Sequence, residues 1–260
     1  MAQVTPTASA RQGRALNTQT LNNLPWWLII ILLVGAYVIY SMLQEEKYVQ
    51  ALTYLLQGIG LTVIISVVAY AIALVIGLIA GLGRVAKNPI LFTLATLYVE
   101  VLRGIPLLVI IIYFQFVVAP SLGFNRTPEI AGTLALAACY GAYLAEVYRA
   151  GIQSIDRGQR EAARSLGMSH YQMMRYIVLP QAIRRVIPAL ANDFIALLKD
   201  SSLLSAIAIN ELTQLARIQG ARTFDFFRAL NAAAILYLML TLVLSLGVRW
   251  VERKTSNERA

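Results

Sequence analysis

Two stretches of this chain, Tyr48 to Gly83 and Ala229 to Val248, carry no charged side chain at all. A helix needs about 20 mainly apolar residues to cross roughly 30 Å of hydrocarbon, and runs of this kind confine the chain to a bilayer. Composition agrees: 58% of the 260 residues are hydrophobic and 13% charged, against about 25% charged in an ordinary soluble domain. The runs are continuous rather than alternating, which excludes the wall of a β-barrel. Apolar runs over 26–43, 57–83, 89–118, 131–149, 186–206 and 229–249 predict six transmembrane helices in an all-α integral membrane fold. The third run is long and the fifth is interrupted by polar residues, so both are expected to bend.

Basic residues set the orientation. Arg11, Arg14, Arg84, Lys87, seven arginines from Arg149 to Arg185, and Arg249, Arg253, Lys254 and Arg259 fall on one side of these spans. Lys47, Arg126, Arg217, Arg222 and Arg228 fall on the other. The positive-inside tendency then puts both termini and the loop 150–185 in the cytoplasm. The formal net charge of +9 is a topology signal; no aromatic–basic interleaving accompanies it, so nucleic acid is not an expected partner. Residues 1–25, rich in Thr, Gln, Asn and Ala, predict a disordered cytoplasmic tail, and 251–260 a second short one. The run Trp26 to Leu43 ends in Gln44, Glu45 and Glu46 without a small-x-small cleavage site and is longer than a signal-peptide core. It reads as an uncleaved N-terminal span over 26–45, with Trp26 and Trp27 at the cytoplasmic boundary. The single cysteine, Cys139, lies inside a span, so no intrachain disulfide or thiolate metal site is available.

The loop 150–185 carries two helix starts. Asp156 with Gln159, and Ser169 with Gln172, have capping-box spacing, in which the cap side chain takes an orphan N–H and the Gln reaches back. Gly167 stands between them where a helix closes in a left-handed turn. The spacing predicts a helix over 157–166, a turn at Gly167, a helix over 170–179 and a stop at Pro180, with Pro188 beginning or bending the next span. The first helix is expected to expose Ala162 and Ala163 beside Glu161, small side chains that let a helix enter a partner's cleft. The second is expected to turn Tyr171, Met174, Ile177 and Val178 toward the bundle. The alternative is an amphipathic hairpin on lipid headgroups, for which alanine and glutamate are poor lipid-facing choices.

This loop resembles the EAA loop of ABC-importer permeases, the element that docks on the ATP-hydrolysing subunit. Glu100, Arg103, Gly104 and Pro106, the segment from Gly141 through Tyr143 and Glu146 to Arg149, and Leu197 to Leu203 with Lys199 and Asp200 are similar to segments of the histidine/glutamine/glutamate/arginine permease family. The resemblance covers residues ~50–250 in order, a five-helix permease core; the departure is the additional first span. It implies a subunit in the bacterial inner membrane that moves polar amino acids by alternating access. The implied partners are a second permease copy or paralogue, an ATP-binding cassette ATPase dimer and an external amino-acid-binding protein. No cofactor is expected on this chain, ATP and magnesium belonging to the ATPase. By the same resemblance Glu161, Ala162, Ala163 and Gly167 would couple to that motor.

Charges also interrupt the third run, at Glu100 and Arg103, and the fifth, at Asp193, Lys199 and Asp200. Even lenient insertion scales charge ~2.5–3.5 kcal/mol for such a group at bilayer depth, so it normally faces a cavity or a partner. An amino acid presents an ammonium and a carboxylate. Glu100 and Asp193 are candidates for the ammonium or a cationic side chain, Asn192 for a neutral contact, and Arg103 for the carboxylate through its planar fork. The alternative makes Glu100–Arg103 and Lys199–Asp200 internal pairs that fix register. Glu146 and Arg149 read as an interfacial ion pair. An intramembrane enzyme lacks the means: with one histidine, His170, in the polar loop, no Ser–His, Cys–His or H-E-x-x-H scheme assembles. A non-transporting membrane scaffold would explain the spans but neither the buried charges nor the capped loop.

Overall fold

The computed structural model describes residues 26–123 and 127–256, and every regular element among them is a helix. The expected tail over 1–25, with Arg11 and Arg14, lies outside the described residues, as do Arg126 and Arg259. The chain divides into two compact units at Val49. In the first, α1 (Trp26–Leu43) is apolar on all sides, with Leu33, Tyr37 and Tyr40 more than half exposed.

In the second unit, α2 (Glu46–Gly83, of which Gln50 onward belongs to this unit), α5 (Pro128–Gln153) and α10 (Phe226–Ser256) are long and apolar enough to cross a bilayer. Between α2 and α5 lie α3 (Pro89–Gly104) and α4 (Leu107–Tyr113), bent by 103° where Ile105 turns extended ahead of Pro106. A proline's ring pushes the preceding residue out of the helical region and removes one donor. The expected bend of the third run is therefore present and sharp. Among the described residues three helices qualify as spans by length and composition, four with the bent pair; six are expected from the sequence. The two runs not counted are that of α1 and the fifth. That run belongs to α8 (Leu179–Asp200), whose Arg184, Arg185, Asp193, Lys199 and Asp200 dilute its hydropathy, and to a 3₁₀ turn, Ser201–Ile207.

Small residues bring α2 against α5. A Cβ added at Gly77 would lie 2.7 Å from Leu144 Cβ, and one at Gly81 would lie 2.9 Å from the Ala145 carbonyl oxygen. Around this contact Ile65, Ala69, Ile111, Leu136, Tyr140, Leu197 and Leu204 form the main core.

Pro180 does not stop a helix. After α6 (Arg157–Ser165) and the short α7 (His170–Met173) the chain makes a π turn over Met174–Val178 and runs directly into α8. Leu179 N–H donates to the Met174 carbonyl, five residues back, and this wider turn absorbs the donor that Pro180 lacks. The same device precedes Pro120: Ala119 N–H donates to the Phe114 carbonyl at the end of the π turn Phe114–Val118.

The stretch between the last two expected spans is itself helical, α9 (Leu212–Thr223). Its N-cap, Glu211, is fully buried and accepts from the N–H groups of Thr213 (2.8 Å) and Gln214 (2.7 Å) and from Tyr237 O–H (2.7 Å).

Candidate functional site: a polar hairpin and an arginine cluster

The hairpin of α6 and α7 closes as its sequence requires. Met168 N–H donates to Ala163 O and Gly167 N–H to Arg164 O, with Gly167 at φ +76°. This is the six-to-one and five-to-two pattern of a Schellman turn. Ser169 and Gln172 form the full reciprocal capping box. Asp156 does not: it accepts from Gly158 N–H, while Gln159 accepts from Gln181 Nε2 at 2.6 Å. The missing half of that box is spent fastening α6 to the start of α8.

Two expected orientations are corrected. Glu161 and Ala162 are exposed as anticipated, but Ala163 is buried, packed with Ile152, Ile155, Met173, Val178 and Ala182. A short helix resting on a bundle must turn one position per turn inward, and the small side chain at 163 sets how close it lies. In the following segment Tyr171 is 70% exposed, and Met173 takes the inward place beside Val178, Met174 and Ile177. The π turn alters the helical period there, which 3.6-residue counting cannot anticipate.

The hairpin is spliced to α5 and α8 at several points. Arg185 donates to the carbonyl (2.5 Å) and hydroxyl (2.9 Å) of Ser154, and Arg160 donates to the Ile152 carbonyl. Behind these bonds Gly151 faces Val186 so closely that an added Cβ would lie 2.1 Å from Val186 Cγ2.

The charges of α3 gather where α2 and α5 end. Glu146 accepts from Arg149 Nε (2.8 Å) and Nη2 (2.7 Å), pairs closely with Arg84, and lies 3.8 Å from Arg103 Nη1. Glu100, with its side chain 65% exposed, is 3.4 Å from Arg84. The expected Glu146–Arg149 pair is present. Glu100 and Arg103 each take a different partner, so the register-fixing pair is Arg84–Glu146 between α2 and α5. Three guanidinium groups face two carboxylates here. Arg103 is the loosest member: its side chain is 45% exposed, and its guanidinium also lies over the Tyr143 ring, 5.9 Å from the centroid. Tyr143 meets Tyr140 edge-on at 5.5 Å, and Tyr140 O–H donates to Asp200 at 2.7 Å. No Lys199–Asp200 ion pair forms among the described residues.

On α8 the Asn192 amide donates to the Pro188 carbonyl at 3.1 Å. Asp193 is half-buried with no hydrogen-bond or ion-pair partner among the described residues. Beside it Tyr70 O–H donates to the Leu190 carbonyl at 2.5 Å and its ring packs on Phe194. A cleft of about 460 Å³ between α2 and α8 is lined almost wholly by apolar groups, Val67, Leu74, Ile187 and Phe194 among them, with Tyr70 as its one polar side chain, whose hydroxyl is already bonded to the Leu190 carbonyl. The structure therefore separates the four expected substrate residues into two groups, Glu100 with Arg103 and Asn192 with Asp193, with no direct bond between them. Sequence reasoning passed over Tyr140 and Glu211, and gave Arg84 and Tyr143 no role in the site. Arg84 reads as one more positive-inside residue, and only its approach to Glu146 gives it a further role.

A broken membrane helix beside small-residue contacts, with a capped polar hairpin fastened to α5 and α8, marks a multi-pass integral membrane protein. The chain belongs to the binding-protein-dependent transport system inner membrane component family, whose model matches residues 73–257. It is 41% identical over 199 residues to the probable glutamine ABC transporter permease protein GlnM of Bacillus subtilis (strain 168), covering 76% of this chain and 92% of that one. It is 38% identical over 207 residues to the glutamine transport system permease protein GlnP of Escherichia coli (strain K12), covering 78% and 94%. Among solved structures, one described as an amino acid ABC transporter with histidines superposes with a TM-score of 0.74 at 37% identity, over 79% of this chain and 96% of that one. The MetNI methionine transporter in an inward-facing form shares the fold alone, with a TM-score of 0.67 at 20% identity.

Proposed function

We propose that this chain is the permease subunit of an ATP-driven importer of polar amino acids. The observation that carries this reading is the capped hairpin, which presents Glu161 and Ala162 outward while Ala163 and its neighbours bind it to α5 and α8. A partner that grips the outer face of α6 would move the start of α8 with it. ATP hydrolysis belongs to a separate ATP-binding cassette ATPase dimer carrying ATP and magnesium. The remaining partners are a second permease copy or paralogue, an external amino-acid-binding protein and membrane lipid. The chain would cross the membrane six times with both termini cytoplasmic. Residues 1–25 and 251–260 serve as tails, 26–45 as an added span, and 50–250 as the transport core with 150–185 as its coupling loop. Two arrangements of the bundle, biased by nucleotide on the motor, give alternating access.

Arg103 would hold the substrate carboxylate and Asp193 its ammonium or a cationic side chain. What supports this is that Arg103 is loosely held and Asp193 is unpaired among the described residues, whereas Glu100, Arg84, Glu146, Arg149 and Asp200 each have a close partner. Glu100 and Asn192 complete the set once their contacts to Arg84 and Pro188 open. Lipid or peptide chemistry by the chain finds no support in this geometry: the acidic pair Asp193 and Asp200 is separated by two helical turns, about 10 Å.

The test is nucleotide hydrolysis by the chain purified with its ATPase, measured with and without an amino-acid-loaded binding protein. Stimulation is expected; a motor that neither co-purifies nor responds would refute the reading. Asp193→Ala should depress uptake, and unchanged uptake with unchanged selectivity would remove Asp193 from the site.

A further inference from the structure

We infer that Glu146 is the residue that releases the substrate, by competing with the substrate's carboxylate for Arg103; this rests on the assignment of Arg103 above. Three observations carry it. Glu146 stands on α5 at the meeting point of α2, α3 and α5, and its two oxygens are shared among Arg84, Arg149 and Arg103. The first two are held by close hydrogen bonds, whereas Arg103 stands off at 3.8 Å. Arg103 is also the most exposed of the three, leaning over Tyr143 on the side that leads through Tyr140 to Asp200.

A guanidinium in this position has two carboxylate partners within one side-chain swing. When α3 moves away from α5, Arg103 is free to take an amino-acid carboxylate through its fork. When α3 returns, Glu146 offers a second carboxylate already oriented by Arg149 and Arg84, so the guanidinium passes from one carboxylate to the other. Release then replaces one charge-assisted contact by another, which is the physical reason to place an acid there. Arg84 and Arg149 hold the Glu146 carboxylate in place through their hydrogen bonds. Glu146 is a positioning residue, and it acts on the substrate only through Arg103.

The experiment uses the full complex, chain, motor and second permease, in lipid nanodiscs, with radiolabelled glutamine as the probe. Equilibrium retention of the probe is measured without binding protein, and turnover is measured with it. Glu146→Gln removes the competing charge and should tighten retention about two- to fivefold, the range of a partly screened ion pair, while slowing turnover. Glu146→Asp, which keeps the charge on a shorter arm, should shift both readings the same way but less, and it guards against poor assembly of the glutamine variant. In an Arg103→Gln background the gain from Glu146→Gln should vanish. Unchanged retention in Glu146→Gln, with retention weakened in Arg103→Gln, overturns the release role and leaves the Arg103 assignment standing. A gain that persists without Arg103 also overturns it. Arg103→Gln with undiminished retention sinks the Arg103 assignment and this inference together. Tighter retention together with slower turnover is a combination that mere loosening of the bundle would not produce.

Discussion

The contact between Gly151 and Val186 gives the sharpest mechanical prediction. Gly151→Ala places a Cβ 2.1 Å from Val186 Cγ2, with the Ala182 carbonyl 3.6 Å away on the same side. Val186 is β-branched and only 6% exposed, so its methyl cannot rotate clear and the helices must part. Overpacking of this kind costs about 1–3 kcal/mol. Val186→Ala alone opens a small void, at about 1–2 kcal/mol. Combining them removes the colliding methyl, so the double variant should cost at least about 1 kcal/mol less than the two singles added, a coupling that neighbours show and distant pairs do not. Thermal unfolding of the purified complex in nanodiscs, read by intrinsic fluorescence, measures all four corners of the cycle. The same spot fastens the hairpin to α8 through Ser154–Arg185 and Gln159–Gln181. Amino-acid uptake per ATP hydrolysed should therefore fall in Gly151→Ala and recover in the double variant. Additive costs, or uptake that stays low after rescue, would refute the argument that this close approach joins the coupling hairpin to α8.

Three further changes probe the other elements. Gly167→Ala forces a side chain into the left-handed turn at φ +76° and should destabilise the hairpin by about 1–2 kcal/mol, seen as faster hydrogen exchange of Met168 to Gln172 and weaker attachment of the motor; unchanged exchange would mean the turn does not depend on glycine. Ser169→Ala removes one half of the capping box and should cost about 1 kcal/mol in the same assay, whereas Ser169→Asp should cost far less. Glu211→Ala leaves Tyr237 O–H and two half-buried N–H groups without their acceptor, so a loss of about 2–4 kcal/mol is expected in chemical denaturation; a loss below about 1 kcal/mol would show that water replaces the carboxylate.

Much of this molecule could be read directly from its residues. Charge-free runs demand helices in lipid, because an isolated backbone in hydrocarbon must satisfy itself. Ile105–Pro106 demanded a break, and Gly167 with Ser169 and Gln172 demanded a closed, capped hairpin; these are local effects, decided within a few residues, and the structure contains them. Local reasoning failed where a neighbour intervened. Pro180 looked like a stop, yet a π turn carries the helix past it, and that same turn moves Met173 inward in place of Tyr171.

What only the tertiary structure decided is which charge meets which. Glu100 and Arg103 share a helix and invite pairing, but Arg84 and Glu146 arrive from α2 and α5 and claim them separately. Ala163 and Glu211 likewise could not be known as buried until α8 and α10 were in place to cover them. Backbone preference and hydropathy act over a single turn, so the order of residues records them. Electrostatic partnership acts through space between segments far apart in the chain, and only the packed bundle brings those segments together.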